Sequence, residues 1–172
     1  MTPLPPLLAP AASSAAPVHR LLFHPGENMI FDVRWRGMSA GQVQLAVDSF
    51  PPPGAKTVTV HSEFKTAGVA ATIVRIRHQL RSLIDLGQHR PLDSSELLVE
   101  GRDSHQIEVI FERWRYRLGR GAPVQALPER HLAHSAHSAL GALRAWAGSG
   151  ATAGHLYVLL GRHLHRVAVA EP

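Results

Sequence analysis

The sequence predicts a mainly β protein, an antiparallel curved sheet or a partly open β-barrel with one late α-helix. Three observations carry this prediction. Apolar and polar residues alternate with a period of two over about eight short segments, which is typical of strands with one buried face. Glycine and proline clusters separate these segments, as they do at turns. A single late segment instead repeats its apolar residues every three to four positions, which is typical of a helix.

The clearest alternation lies at 23–50 and predicts a β-hairpin. Polar residues occupy every second position of its first strand, with Ile30 as the exception. The apolar positions are Met29, Phe31, Val33 and Trp35 in the first strand and Val43, Leu45 and Val47 in the return strand. Gly37 to Gly41 are expected to form the turn, because glycine takes a positive φ without a steric penalty. We expect both apolar sets to face one dry core.

The later segments complete the predicted sheet and supply the helix. Further alternating segments lie at 57–64, 72–86, 94–100, 105–113, 154–160 and 164–170. The small residues of 67–71 suit a short helical turn between two strands. The late helix is expected to begin after Ser135, whose hydroxyl can cap it, and to end at Gly148. One helix is too little for a bundle, so we expect it to cover one side of the sheet.

Length and composition indicate one β-rich domain at 21–172, after a Pro/Ala-rich leader at 1–20. The chain of 172 residues has 18 Lys and Arg against 13 Asp and Glu, a net charge of +5. The basic residues do not form blocks, so nucleic-acid binding is not expected. Cysteine is absent from the sequence, which excludes disulfides and thiolate chemistry. No apolar run approaches the roughly 20 residues that a membrane helix needs.

The leader is expected to be flexible. It is apolar, but it has no positively charged start, and Pro3, Pro5, Pro6 and Pro10 interrupt it. These prolines do not suit the helical core of a signal peptide. The leader therefore gives no clear export signal, and whether it is processed stays open.

Three stretches of the chain resemble a known family. GENMIFDVRW with the following Ser39-Ala40-Gly41, then IRHQLRSLIDLGQHRPLDSSELLVEG, and finally SALGALRAW resemble parts of the bacterial envelope family called domain of unknown function 3108. The chain departs from the family at Ser135, where an aspartate usually opens the helix, and at its end, where family members usually continue for several strands. The resemblance implies a periplasmic or secreted β-rich protein, C-terminally truncated relative to the family. It carries over no catalytic residue.

The dry face of the predicted sheet is the first candidate for ligand binding. It is rich in large apolar side chains, of which Met29, Phe31, Trp35 and Phe64 are the candidates for contact with a lipid or another apolar ligand. A cavity of roughly several hundred Å³ would favour ligand carriage, whereas a packed interior would favour a scaffold.

A row of arginines is the second candidate. Arg75, Arg77 and Arg81 lie on one face of a predicted strand, where guanidinium groups could bind anionic ligands. Opposite charges on neighbouring strands could instead neutralise the row. The carboxylates available for this are Glu63, Glu108 and Glu112. We favour the neutralised sheet face.

Twelve histidines raise the question of a metal site. His131, His134 and His137 are spaced by three residues, and on a helix this spacing turns the third ring away from the first. His163 and His165 share one face of a predicted strand, where a wet sheet face explains them without a ligand. These histidines are weak candidates, and we expect neither a metal nor another cofactor.

The sequence favours a non-enzymatic envelope protein that binds a lipid or another apolar ligand in its curved sheet. The motifs G-x-G-x-x-G and G-x-x-x-x-G-K-[ST] are absent, so nucleotide cofactors are not expected. The expected partner is a lipid or an envelope protein. Two alternatives stay open: an assembly module that pairs through a sheet edge, and a His-dependent metal-binding protein.

Overall fold

The computed structural model describes residues 23–48, 56–127, 131–149 and 153–170. The predictions about the leader and about truncation at the C-terminus lie outside these residues. Within them the chain forms eleven strands and two helices. They are β1 (Asn28–Trp35), β2 (Met38–Val47), β3 (Thr57–Thr66), α1 (Gly68–Ile73), β4 (Ile76–Asp85), β5 (Arg90–Glu100), β6 (Asp103–Glu112), β7 (Arg115–Leu118), β8 (Gln125–Ala126), β9 (Ala133–His134), α2 (Ala136–Ala147), β10 (Ala153–Leu160) and β11 (His163–Ala170).

Strands β1 to β8 form one antiparallel sheet in which spatial order follows chain order. A second sheet has the order β11-β10-β9, with an antiparallel β10–β11 hairpin and a parallel β9–β10 pair. The mainly β, antiparallel class is therefore confirmed, as is the late helix. Among the described strands β1 and β8 do not pair with each other, so the large sheet is open rather than closed into a barrel.

Helix α2 and strand β10 cover one face of the large sheet. Ala139 and Ala142 of α2 pack with apolar side chains of β2, β3 and β4, and small residues let the helix approach the sheet closely. A second apolar cluster joins β6 and β7 to Leu159 of β10. Ser135 caps α2 by accepting a hydrogen bond from the Ser138 N–H at 3.2 Å, and Gly148 follows the last turn, so both predicted helix ends are confirmed.

The prediction that Phe31 and Trp35 fill the core is wrong. Phe31 lies directly opposite Val43, on the predicted face, but it is 49% exposed, and Trp35 is 61% exposed. Of the apolar residues predicted to face the core from β1, only Met29 packs against the buried core cluster. The reason is coverage: β1 is the edge strand, and α2 covers the half of the hairpin that contains Leu45. Alternation therefore identified the face but not how much of it is covered.

The hairpin turn is shorter than predicted. It consists of Arg36 and Gly37, both with positive φ, and β2 begins at the next residue. The register shifts between Val33 and Arg34, which pair with Gly41 and Ser39 respectively. Gly41 therefore lies inside a strand, where an added Cβ would overlap the Lys65 carbonyl oxygen and the Phe64 ring. Glycine is needed here for close approach, not for a turn.

The predicted strand at 72–86 begins later than expected. Helix α1 continues to Ile73, and β4 starts at Ile76, so Arg75 lies between the two elements. The short helical turn predicted at 67–71 is confirmed by α1. In the part of the chain that the structure describes, no helix is both long and apolar enough to cross a membrane.

We predict that Gly41→Ala destabilises the protein by about 1–3 kcal/mol, because overpacking forces strands β2 and β3 apart. Gly121→Ala is the matched control, since an added Cβ at Gly121 meets no atom within 4 Å. Urea unfolding measures both. Equal free energies of unfolding for the two variants would contradict the close approach.

Candidate ligand-binding cavity

The first turn of α2 is attached to the sheet through a buried histidine. The His137 ring contacts Ser82 Oγ through Nδ1 at 3.0 Å and Ser62 Oγ through Nε2 at 2.8 Å. Each serine comes from a different central strand, β3 or β4. A hydroxyl can donate or accept, so a neutral ring satisfies both contacts. His137 therefore fixes the position of α2 over the middle of the sheet.

The neighbouring histidine His134 is also buried. Its Nδ1 lies 3.3 Å from Ser138 Oγ, and Ser138 in turn contacts the capping Ser135. Burial lowers the pKa of His134 from 6.5 to about 4. Burial, with a smaller contribution from His61, lowers the pKa of His137 to about 4 as well. Both rings are therefore neutral at pH 7.

An ion pair attaches the other end of α2. Arg144 donates two hydrogen bonds to the Glu27 carboxylate, at 2.8 and 2.9 Å, in the paired geometry that guanidinium and carboxylate favour. The Arg144 contact lowers the pKa of Glu27, and burial only partly opposes this. The Glu27 carbonyl also accepts from the Val47 N–H at 2.8 Å. The Gly-Glu step and the helix arginine, which belong to separate family-like stretches, thus meet in space.

A cavity of about 280 Å³ lies beside the start of α2. The large sheet forms one wall, and the beginning of α2 and the β10–β11 turn form the other. The large apolar side chains that line it are Leu80, Ile107, Val109, Leu159 and Leu160. Side chains from β4, β6 and β10 therefore form an apolar wall that α2 does not cover.

The cavity has one polar end. The His78 ring lies 2.7 Å from Glu96 Oε1, with Ser94 also in the lining. The hydrogen bond from His78 lowers the pKa of Glu96, burial opposes it, and the Gly161 N–H adds a further hydrogen bond to the carboxylate. Glu96 is therefore ionised at neutral pH, and it supplies hydrogen-bond acceptors next to an apolar wall.

The opposite face of the sheet carries a polar, open groove of about 410 Å³. Its lining includes Gln44, His61, Gln79 and Gln106, from four different strands. With so many polar groups and little cover, water competes for every hydrogen bond that a ligand would make there. We therefore regard the cavity beside α2 as the better candidate site.

The three arginines of the predicted row, Arg75, Arg77 and Arg81, have different surroundings in the structure. Arg77 and Lys65 both contact the Glu63 carboxylate, and Arg81 lies 3.4 Å from Asp93. Arg75 lies outside the strand. Glu63 thus neutralises part of the row as favoured from the sequence, whereas Glu112 pairs with Arg117 instead. The use of these arginines in ligand binding stays a prediction.

The candidate histidines do not converge. His131 lies against His155 and Tyr157, with ring centroids 5.0 and 5.2 Å away, while His134 and His137 turn into the interior. The centroids of His163 and His165 are 6.4 Å apart on β11. Across 23–48, 56–127, 131–149 and 153–170, no group of three or more His, Asp or Glu side chains is placed to hold a metal.

One serine has hydrolase-like spacing. Gly37 to Gly41 reads G-x-S-x-G around Ser39, the pattern of a nucleophile elbow. An elbow places its serine between a strand and a helix, whereas Ser39 lies on β2, one residue into the return strand of a hairpin. The spacing therefore occurs here without the geometry that activates a nucleophile.

The cavity does not use the predicted apolar residues. Met29 packs against the core and Phe64 contacts Gly41, while Phe31 and Trp35 remain exposed. None of the four lines the cavity. The sequence does contain a signal for the cavity that the prediction did not use. Polar residues occupy several positions on the covered face where the alternation leads one to expect apolar residues. These residues are Ser62, His78, Ser82, Ser94 and Glu96.

Comparison of the chain with family models, curated proteins and solved structures found no match. The resemblance to the domain of unknown function 3108 family therefore stays a prediction that rests on the three stretches quoted above.

We predict that the protein loses stability as the pH falls from about 6.5 towards 4. His134 and His137 have lower pKa values in the folded state than in the unfolded state, so the unfolded chain binds more protons in this window. One such histidine contributes about 2 kcal/mol between pH 6.5 and 5. Glu27, Glu63 and Glu96, whose pKa values lie below 4.5, contribute only at lower pH.

Urea unfolding at several pH values measures this slope. His137→Gln keeps hydrogen-bonding groups but cannot titrate, so its free energy of unfolding is expected to fall less steeply. His105→Gln changes an exposed histidine and should leave the slope unchanged. An equal slope for His137→Gln and the unmodified protein would contradict a neutral, buried His137.

Proposed function

We propose that the protein binds a small amphipathic ligand in the cavity beside α2. The ligand is a single apolar chain with a hydrogen-bond-donating or cationic head group. The observation that carries this proposal is the division of the cavity into an apolar wall and a polar end at His78 and Glu96. The proposed role is binding and carriage without catalysis. Together with the family resemblance, it is consistent with a periplasmic or secreted envelope protein.

The size of the cavity restricts the ligand. Ligand pockets in proteins usually enclose about 300–1,000 Å³, and this cavity, at about 280 Å³, is slightly smaller than that range. One short hydrocarbon chain fits such a volume, whereas the chains of a whole phospholipid do not. Among the lipids expected from the sequence, the candidate ligands are therefore single-chain molecules, or larger lipids of which one chain enters the cavity.

The charge of Glu96 restricts the head group. An ionised carboxylate accepts hydrogen bonds and attracts cations, and it repels a second carboxylate in a poorly solvated site. His78 already donates to one Glu96 oxygen, at 2.7 Å. A hydroxyl or ammonium head is therefore favoured over a fatty-acid carboxylate.

Titration with octylamine, 1-octanol and octanoate, followed by amide NMR, tests the proposal. We expect octylamine and 1-octanol to bind and to shift the amide signals of Ser94 and Gly161. Octanoate is expected to bind at least about tenfold more weakly, a difference of about 1.4 kcal/mol. Equal binding of all three probes would contradict the role of Glu96.

Two neighbouring serines provide a matched pair of variants. Ser94 lies in the cavity, and Ser95 lies in the polar groove on the opposite face. Ser94→Leu fills cavity space and is expected to abolish octylamine binding, whereas Ser95→Leu should leave it unchanged. Undiminished binding by Ser94→Leu would remove the cavity as the site.

A second candidate function is assembly through a sheet edge, and β11 favours it. Among the described strands β11 pairs only with β10, and its other edge is free for a further strand. His165 and Val167 on this strand are exposed, so a partner could reach it.

A second copy of the chain is the simplest strand donor for β11. Sedimentation at rising concentration should then show a dimer, and Val167→Pro, which removes a backbone donor and distorts the strand, should abolish it. A protein that stays monomeric at every concentration would contradict self-pairing through β11.

A further inference from the structure

Three connections lie at the same end of the large sheet. In an antiparallel sheet whose strands follow chain order, alternate connections share one end, so the β1–β2 turn, α1 and the β5–β6 turn are neighbours. The β7–β8 connection points the same way, but β7 reaches only to Val109 of β6, six residues short of the start of that strand, so this connection lies away from the other three. Backbone hydrogen bonds join them: the Ala67 N–H donates to Ala40 at 3.1 Å, and the Gly101 N–H donates to Arg75 at 3.0 Å. We call this end, comprising residues 34–38, 68–75 and 101–102, the rim.

The rim carries exposed apolar side chains. Ile73 is 81% exposed and Val69 is 60% exposed, although both belong to a helix, and α1 has no buried residue at all. Trp35 and Met38 are cross-strand partners at the hairpin tip, and both are also exposed. Four large apolar side chains on adjacent connections are more than scattered surface hydrophobics, and they indicate a contact surface.

Arginines lie between these apolar residues. The Arg36 guanidinium lies 5.0 Å from the centre of the Trp35 ring. Arg34, Arg75 and Arg102 are also exposed on the rim. Within 34–38, 68–75 and 101–102 the charged residues are Arg34, Arg36, Arg75 and Arg102, and these rim residues include no Asp or Glu. Positive charge is therefore in excess at this end of the sheet.

We propose that the rim docks the protein on an anionic phospholipid bilayer. Tryptophan favours the zone between head groups and acyl chains, and the transfer of isoleucine and valine side chains from water into the acyl region is favourable in free energy. Guanidinium groups bind lipid phosphates with two hydrogen bonds, and an anionic surface attracts nearby basic residues. The rim combines apolar residues, which suit the acyl region, with arginines, which suit the phosphates of the head groups.

A protein partner fits the rim less well. The apolar residues are distributed over a hairpin tip and a short helix. An open hollow of about 540 Å³ beside α1 is lined by 71–75, Glu100 and Gly101, but Trp35, Met38 and Val69 do not line it, so the four apolar side chains share no groove for one anchoring side chain. The rim is also separate from the cavity beside α2, with which it shares no lining residue. Membrane docking is thus independent of the proposed ligand, and either can fail without the other.

Sedimentation with lipid vesicles tests the docking. The full chain is expected to bind vesicles that contain phosphatidylglycerol at least about tenfold more tightly than pure phosphatidylcholine vesicles, and added salt should weaken the binding. Val69→Ser combined with Ile73→Ser should weaken it about tenfold. Val124→Ser replaces an equally apolar, exposed residue away from the rim and should have no effect.

The charge contribution is tested with a second matched pair. Arg36→Gln should weaken binding to phosphatidylglycerol vesicles, whereas Arg120→Gln, which removes an exposed charge elsewhere, should not. If both arginine variants lose the same affinity, or if the rim serine variants behave like Val124→Ser, the binding is only general attraction to a basic protein, and the rim is not the docking surface.

Tryptophan fluorescence locates the contact directly. The chain has three tryptophans, so Trp114→Phe with Trp146→Phe leaves Trp35 as the only reporter. Its emission is expected to shift to shorter wavelength with phosphatidylglycerol vesicles and to become protected from acrylamide. Vesicle binding without a change at Trp35 would overturn the proposal, and so would the absence of vesicle binding.

Discussion

The contact of His137 with Ser62 and Ser82 is the interaction on which the rest of the structure depends. It joins the start of α2 to two central strands of the large sheet, at 2.8 and 3.0 Å. The ion pair between Arg144 and Glu27 holds the other end of the helix. With both ends attached, α2 has one position, and the apolar face that it covers becomes the core.

The same attachment explains the cavity. Helix α2 begins at Ala136, so the sheet beyond its first turn is covered only by β10 and the β10–β11 turn. Leu80 and Val109 face the uncovered space, and the ionised Glu96 lies at its border. A core would exclude such a carboxylate, because burial of an unpaired charge is costly. Its pairing with His78 and its place beside a cavity are consistent with a site where a polar ligand group is expected.

Much of the fold could be predicted from local pattern. Alternation in 23–50 located β1 and β2, and the Ser135 hydroxyl and Gly148 located the ends of α2, because strand faces and helix caps depend on nearby residues. Coverage depends on long-range packing, which is why the exposure of Trp35 was not predictable. The need for glycine at position 41 similarly depends on the close approach of the neighbouring strand β3. The residue pattern within the β1–β2 hairpin carries no information about that approach.

The site was less predictable than the fold, for a physical reason. Large apolar residues suggested a groove, but those on β1 lie at a sheet edge, whereas the cavity forms where polar residues interrupt the covered face. His78 and Glu96 are far apart in the sequence and meet only through the pairing of β4 with β5. Polar residues at positions expected to be apolar were therefore the better signal.

The most direct test of the account is the measurement of nuclear Overhauser effects between bound octylamine and the protein. We predict contacts from the octylamine chain to the methyl groups of Leu80, Val109 and Leu159, with the carbon beside nitrogen close to Glu96. Contacts only to side chains of the opposite face, such as Gln79 and Gln106, would contradict the account.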